Sequence, residues 1–213
     1  MKKFNIYKFK PCLDATKYYD ACKSSEEAWN NCSRGDWMLW ITSNLEVDIK
    51  ILTLAKVHCA LTVKHLMKDK RSIEALEVAL KFVNGKATLE ELKIAADAAY
   101  IAVNAACIVT NAAACIVTDA AAYAVNAACI VTDATYAANA AYAAANAAYA
   151  AASNDANTAA DAAAYAAYAT YANYTIHGAI YNSANDAKIK NQLKTANVCR
   201  KYLTESIFKI LLF

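Results

Sequence analysis

Four side chains in this 213-residue chain have the types needed for acid–base or nucleophilic chemistry: Asp36, His58, Cys59 and His65. An imidazole changes charge near neutral pH, and a neighbouring thiol can be activated as a nucleophile. His58 and His65 are seven residues apart, which places them two turns apart on one side of a helix. No Ser-His-Asp spacing, phosphate loop or metal motif accompanies them. Two histidines without a third ligand are usually packed or hydrogen-bonded. The expectation is therefore a protein with no enzymatic activity, no bound metal and no cofactor. The eight cysteines (12, 22, 32, 59, 107, 115, 129 and 199) contain no CxxC pair, so they read as free thiols in a reducing cytosol.

A second set of polar groups repeats. From Ala95 to Tyr174 the chain is about half alanine, with no Lys, Arg, Gly or Pro. Asn or Asp recurs in steps of mostly seven, each followed three or four residues later by Tyr or Cys. Residues so spaced share a helix face, so one stripe carries amide, carboxylate, phenol and thiol above a surface of methyl groups. Its most regular run is Tyr136, Asn139, Tyr142, Asn146 and Tyr149. Either these groups form a solvated edge, or they line a groove for a ligand or partner, because buried amides and phenols require hydrogen-bond partners.

Alanine is the best helix former, and the period near 3.5 is helical. One rod over 89–152 would be about 96 Å long, far beyond the radius of about 17 Å of a compact chain this size. Several antiparallel helices are therefore expected, with the clearest break at Ser153-Asn154-Asp155. The whole predicts an all-α fold: a single compact multi-helix domain over 1–213 with closely packed alanine-rich helices. Residues 1–93 form a Trp- and His-containing body, 94–175 a heptad-like array, and 176–213 a C-terminal helix.

Within the body, residues 1–11 read as an extended lead-in. Asp14 to Cys22 is a short helix, and Ser24 through Glu27 begins another with a capping box. Asp36 is placed to cap a helix over 37–42 that carries Trp37 and Trp40, the largest apolar anchors. Glu46 to Met67 reads as an amphipathic helix with Lys50, Lys56 and Lys64 in water. Ser72 is expected to cap a helix ending at Asn84-Gly85, and Thr88 with Glu91 forms a capping box that opens the alanine tract. Asn182–Asn185 reads as a turn before a last helix over 187–210.

The net charge of +3 conceals an asymmetry: 94–187 holds six Asp and no basic residue, and the remainder holds 22 basic against 13 acidic side chains. This is too sparse for a nucleic-acid mimic and lacks a basic stripe for nucleic acid. Ala98 to Thr118 is uncharged for 21 residues, yet Asn104 and Asn111 disfavour it in a bilayer. No membrane or nucleic-acid partner is expected, and no secretory signal core is present near Met1. The threonines of the tract have no regular interval, which excludes an ice-binding helix.

Certain landmarks carry a resemblance: Asp36-Trp37-Met38-Leu39-Trp40, Ala60-Leu61 with His65-Leu66, Arg71-Ser72-Ile73-Glu74-Ala75-Leu76, Asn84-Gly85-Lys86-Ala87-Thr88, and the alanine and aromatic tract. Over roughly 30–175 the chain resembles the alanine-rich immunity-protein family linked to bacterial polymorphic-toxin systems and also found in phage genomes. The resemblance implies a small cytoplasmic helical protein that binds and neutralises a cognate toxin or defence component, and it supplies no catalytic residue. The alternative is a protein that binds or sequesters a small ligand, for example a nucleotide, in a Tyr/Asn/Asp-lined groove. The candidate contact residues are Asp36, Trp37, Trp40, His65, Tyr136, Asn139, Tyr142, Asn146 and Tyr149.

Overall fold

The computed structural model describes residues 3–67, 69–99, 101 and 181–211. The candidate stripe Tyr136, Asn139, Tyr142, Asn146 and Tyr149, and the break expected at 153–155, lie outside the described residues. What is described is all helical, with helices packed on one another: α1 (Leu13–Ala21), α2 (Ser25–Asn31), α3 (Gly35–Ser43), α4 (Ile49–Leu61), α5 (Lys70–Val83), α6 (89–99) and a long C-terminal α7 (Tyr181–Leu211). Short 3-10 turns occupy Tyr7–Phe9, inside the segment expected to be extended, and Lys64–Leu66.

α7 is the strut of the body. It has 31 residues, so it is about 46 Å long. Asn191, Thr195, Ala196, Cys199, Leu203 and Ile207 are buried along it, at the three- and four-residue steps of one helix stripe. That stripe packs on α2, α3 and α4; α4 also packs on α3 and α5, and α1 on α2. The main core joins Trp29, Met38, Leu39, Leu52, Ala55 and Cys59 to Cys199, Leu203 and Ile207. The helix already includes Tyr181, six residues before the start that the sequence suggests, so 182–185 is helical. Its polar run Tyr181-Asn182-Ser183 contains neither Gly nor Pro to stop propagation.

At Gly35 the two helices nearly touch. A Cβ built there lies 2.4 Å from Thr195 Oγ1 and 2.7 Å from the Thr195 carbonyl carbon. Thiols fill the adjoining space, with Cys199 Sγ donating to the Gly35 carbonyl (3.6 Å) and Cys59 Sγ to the Thr195 carbonyl (3.7 Å).

The helix ends follow local chemistry. Ser24 Oγ accepts from the Glu27 N–H (3.0 Å), and Glu27 in turn accepts from the Lys23 N–H (2.6 Å). Thr88 and Glu91 form the reciprocal capping box. At the end of α5 the Lys86 N–H donates to the Lys81 carbonyl and the Gly85 N–H to that of Phe82. This paired closure needs a left-handed residue, and Gly85 supplies it at φ +68°.

Three starts differ from expectation. α3 begins at Gly35, and Asp36 caps nothing, because Arg34 grips its carboxylate with two hydrogen bonds (2.8 and 2.5 Å). α4 is shorter than expected: Asp48, accepting from the Lys50 and Ile51 N–H groups, starts it, and the chain leaves helical geometry at Val63. In α5 the cap is Asp69, accepting from the Arg71 N–H (2.9 Å), and Ser72 is buried with its hydroxyl unpartnered. Lys56, expected in water, is fully buried. With α3, α5 and α7 all packed on α4, its surface is covered well beyond one apolar stripe.

Candidate functional site

α3 presents two faces. Met38, Leu39, Thr42 and Ser43 turn inward and are buried. Trp37, Trp40 and Ile41, at helical steps of three and one, form a half-buried wall. The N-terminal segment and α1 supply the opposing wall with Phe4, Ile6, Pro11, Ala15, Tyr18 and Tyr19. Together with Ser25, Ala28, Trp29, Cys32 and Met38 these residues enclose a partly open apolar cavity of about 80 Å³. The rings brace each other: Tyr18 lies against Trp37 with centroids 5.8 Å apart, Phe9 is edge-on to Trp40 at 6.5 Å, and Phe4 stacks on Phe9 at 6.3 Å.

Three hydroxyls of this lining are engaged within the protein. Tyr18 donates to the Ala28 carbonyl (2.8 Å) and Tyr19 to that of Phe4 (2.8 Å), and the Ser25 hydroxyl accepts from the Phe4 N–H (2.9 Å). Burial pushes both phenols above their ordinary range. It also raises the Cys32 thiol to about 11. These groups keep their protons at neutral pH, so the cavity is suited to holding carbon rather than moving protons.

Cations stand over rings at and beside the cavity. The Arg34 guanidinium lies 4.5 Å from the Trp37 ring centre, the Lys8 ammonium 4.9 and 4.7 Å from those of Phe4 and Phe9, and the Lys3 ammonium 5.1 Å from that of Tyr19.

Of the expected contact residues, the structure brings Asp36, Trp37 and Trp40 together at this site, and the Asp36 carboxylate is held by Arg34. His65 lies elsewhere, exposed in the turn after α4. The side chains of acid–base and nucleophilic type do not converge. Cys59 faces α7, and His58 stacks on Tyr202 with ring centres 4.8 Å apart. Among the described residues no group of three or more His, Cys, Asp or Glu could hold a metal ion. Reading the sequence for catalytic types passed over Phe4, Tyr18, Tyr19, Trp29 and Arg34. The available signal was aromatic density, since all three tryptophans fall within residues 29–40.

A wider groove of about 410 Å³ between α5 and α6 mixes Arg71, Lys81 and Lys86 with Glu74 and Glu91. It carries no aromatic ring, and nothing in it selects one ligand.

His58 provides a pH test of the packing. Burial first, and the nearby Lys201 charge second, push its imidazole below the ordinary range. The unfolded chain then binds a proton near pH 6.5, where the folded chain does not. Stability is whole above that pH and falls as the solution is acidified toward the folded value. Between pH 7.5 and 5.5 the wild-type Tm should drop further than that of His58→Phe, in which the carboxylates still titrate. Equal drops would show that His58 is freely solvated.

No helix among the described residues is long and apolar enough to cross a membrane. Compared with protein-family models, curated proteins and solved structures, the chain matches none of them.

Proposed function

We propose that this chain is a non-enzymatic, cytoplasmic binding protein that neutralises a cognate toxin or defence component, in the manner of an immunity or anti-defence protein. The partner would dock on the face built by Trp37, Trp40 and Arg34. The supporting observation is the partly open aromatic cavity, with a guanidinium stacked on one of its half-buried tryptophans. Trp, Tyr and Arg around a packed pocket are the residue types that dominate protein–protein binding energy. The toxin or defence identity of the partner comes from the sequence resemblance alone.

A nucleotide is a poor fit to this cavity. Its volume is about 80 Å³, whereas small-molecule sites commonly span roughly 300–1,000 Å³. The hydroxyls of Tyr18, Tyr19 and Ser25 at its lining are also engaged within the protein.

The test is complex formation by the full chain in extracts of its native host, followed by size exclusion and affinity measurement. Trp37→Ala should leave the helical circular dichroism unchanged and weaken the complex roughly 30-fold or more, the loss of about 2 kcal/mol that marks a hot spot. Retention of full affinity by Trp37→Ala would overturn the docking face. A thermal shift with a metabolite, in the absence of any protein complex, would overturn the partner class.

A further inference from the structure

We infer that the outward face of α7 adsorbs to an anionic lipid surface, with Lys190, Lys194 and Lys201 on the headgroups and Ile189 and Leu193 at the headgroup–acyl boundary. This goes beyond the docking face around Trp37 and does not depend on it.

The face follows from the helix register. Asn191, Thr195, Cys199 and Leu203 turn to the core. Lys190, Lys194, Asn197 and Lys201, at steps of four, three and four, therefore share the opposite stripe, and all four are exposed. From 187 to 204 the helix carries five basic residues, Lys188, Lys190, Lys194, Arg200 and Lys201, and no acidic one. Lys190, Lys194 and Lys201 form no ion pair among the described residues. Arg200 donates to the carbonyls of Asn30 and Cys32 and to the Asn197 amide oxygen. Those acceptors are neutral, so its charge remains.

A face that meets only water is steadied by opposite charges four residues apart, as Glu205 and Lys209 are near the end of this helix. Lys190 and Lys194 stand at the same spacing with like charge, which repels. A negative surface turns that repulsion into attraction.

Composition selects lipid among the polyanions. Ile189 and Leu193, also four apart, are 50 % and 46 % exposed beside the two lysines. A phosphate backbone gives such side chains nothing apolar to meet. In protein interfaces lysine is depleted and leucine is rare among hot spots, and no aromatic residue occurs from 187 to 201. At a bilayer surface the same types cooperate: aliphatic groups enter the boundary, and lysine stems lie along it with their ammoniums among the headgroups. Clusters of about four to eight cations on one helix suit phosphatidylserine-type surfaces. The sequence argues against crossing a bilayer; adsorbing to one is a different demand and needs no apolar span.

The experiment sediments the full chain with vesicles of phosphatidylcholine, alone or with about 30 mol % phosphatidylserine. The mixed vesicles should bind at least about tenfold more protein than the neutral ones, and binding should fall as salt rises from about 0.05 to 0.5 M. Lys190→Gln, Lys194→Gln and Lys201→Gln together should weaken it on the order of 100-fold, about fivefold for each cation removed from the surface, at unchanged Tm. The same change at Lys70, Lys81 and Lys86, exposed on α5 and the turn after it, should weaken it only several-fold. Ile189→Ser with Leu193→Ser should also weaken it several-fold. No binding, equal binding to both vesicle types, equal losses in the two lysine sets, or full binding after the serine changes overturns the inference. So does tighter binding to a DNA duplex, which would assign the face to nucleic acid, or to polyglutamate, which would assign it to an acidic protein.

Discussion

Gly35→Ala is expected to cost the protein about 3 kcal/mol, near the upper end of what over-packing a core does. The added methyl would sit 2.6 Å from Thr195 Cβ and 2.7 Å from the Thr195 carbonyl carbon, distances that no Cβ tolerates. A backbone atom cannot swing aside as a flexible side chain does, so α3 and α7 must part. Alanine would improve helix propensity, but by at most about 1 kcal/mol, and the steric term wins. Thr195→Ala in the same background should recover only part of the loss, since it removes Oγ1 and leaves the Cβ and backbone in the way. Urea denaturation measures both variants. A Gly35→Ala midpoint indistinguishable from the wild type would mean that the two helices do not meet at this point.

The second large effect belongs to Trp29, whose side chain is 4 % exposed. It anchors α2 to α7 through the core and through its indole N–H, which donates to Thr204 Oγ1 at 2.9 Å. Trp29→Ala should cost about 4 kcal/mol through lost transfer energy and a residual hole. Against a total stability of about 5–15 kcal/mol for a domain, that is a large fraction. Trp29→Phe should cost markedly less, since it keeps a ring and forfeits a hydrogen bond worth about 1 kcal/mol. A loss below about 1 kcal/mol for Trp29→Ala would show that the α2–α7 contact is not held by this residue.

The parts of this structure that were legible in the sequence are those decided within four or five residues. The caps at Ser24 and Thr88 and the stop at Asn84-Gly85 involve groups that find each other whatever the rest of the chain does. Where two local options competed, the sequence did not show which would win. Asp69 and Ser72 are both good caps, and Asp69 prevails because Arg71 binds its carboxylate as well. Arg34 has the opposite effect on Asp36, drawing its carboxylate away from the start of α3. Lys56 was misplaced because its burial depends on how many helices surround α4, a property of the assembled body. For the site, Trp37 and Trp40 were evident as a pair of large rings at helical spacing. The opposing wall comes from residues 4–19, well before α3 in the chain, and no local pattern connects Phe4 with Ser25 or Tyr18 with Ala28.

The seating of α7 in the middle of the body also has a consequence in time. Gly35 and Cys199, which touch through a thiol–carbonyl contact, are separated by 164 positions. At a synthesis rate of about 5–20 residues per second, the ribosome takes roughly 8–33 s to make the distance between them. During that interval α2, α3 and α4 have been translated, but the ridge that completes their packing does not yet exist, and Leu39, Leu52 and Cys59 are left without Cys199, Leu203 and Ile207 to cover them. Such a chain cannot mature one module at a time from its amino end; its body is completed only when the last helix arrives, so a nascent chain stalled before α7 would present an open apolar trough to chaperones and proteases.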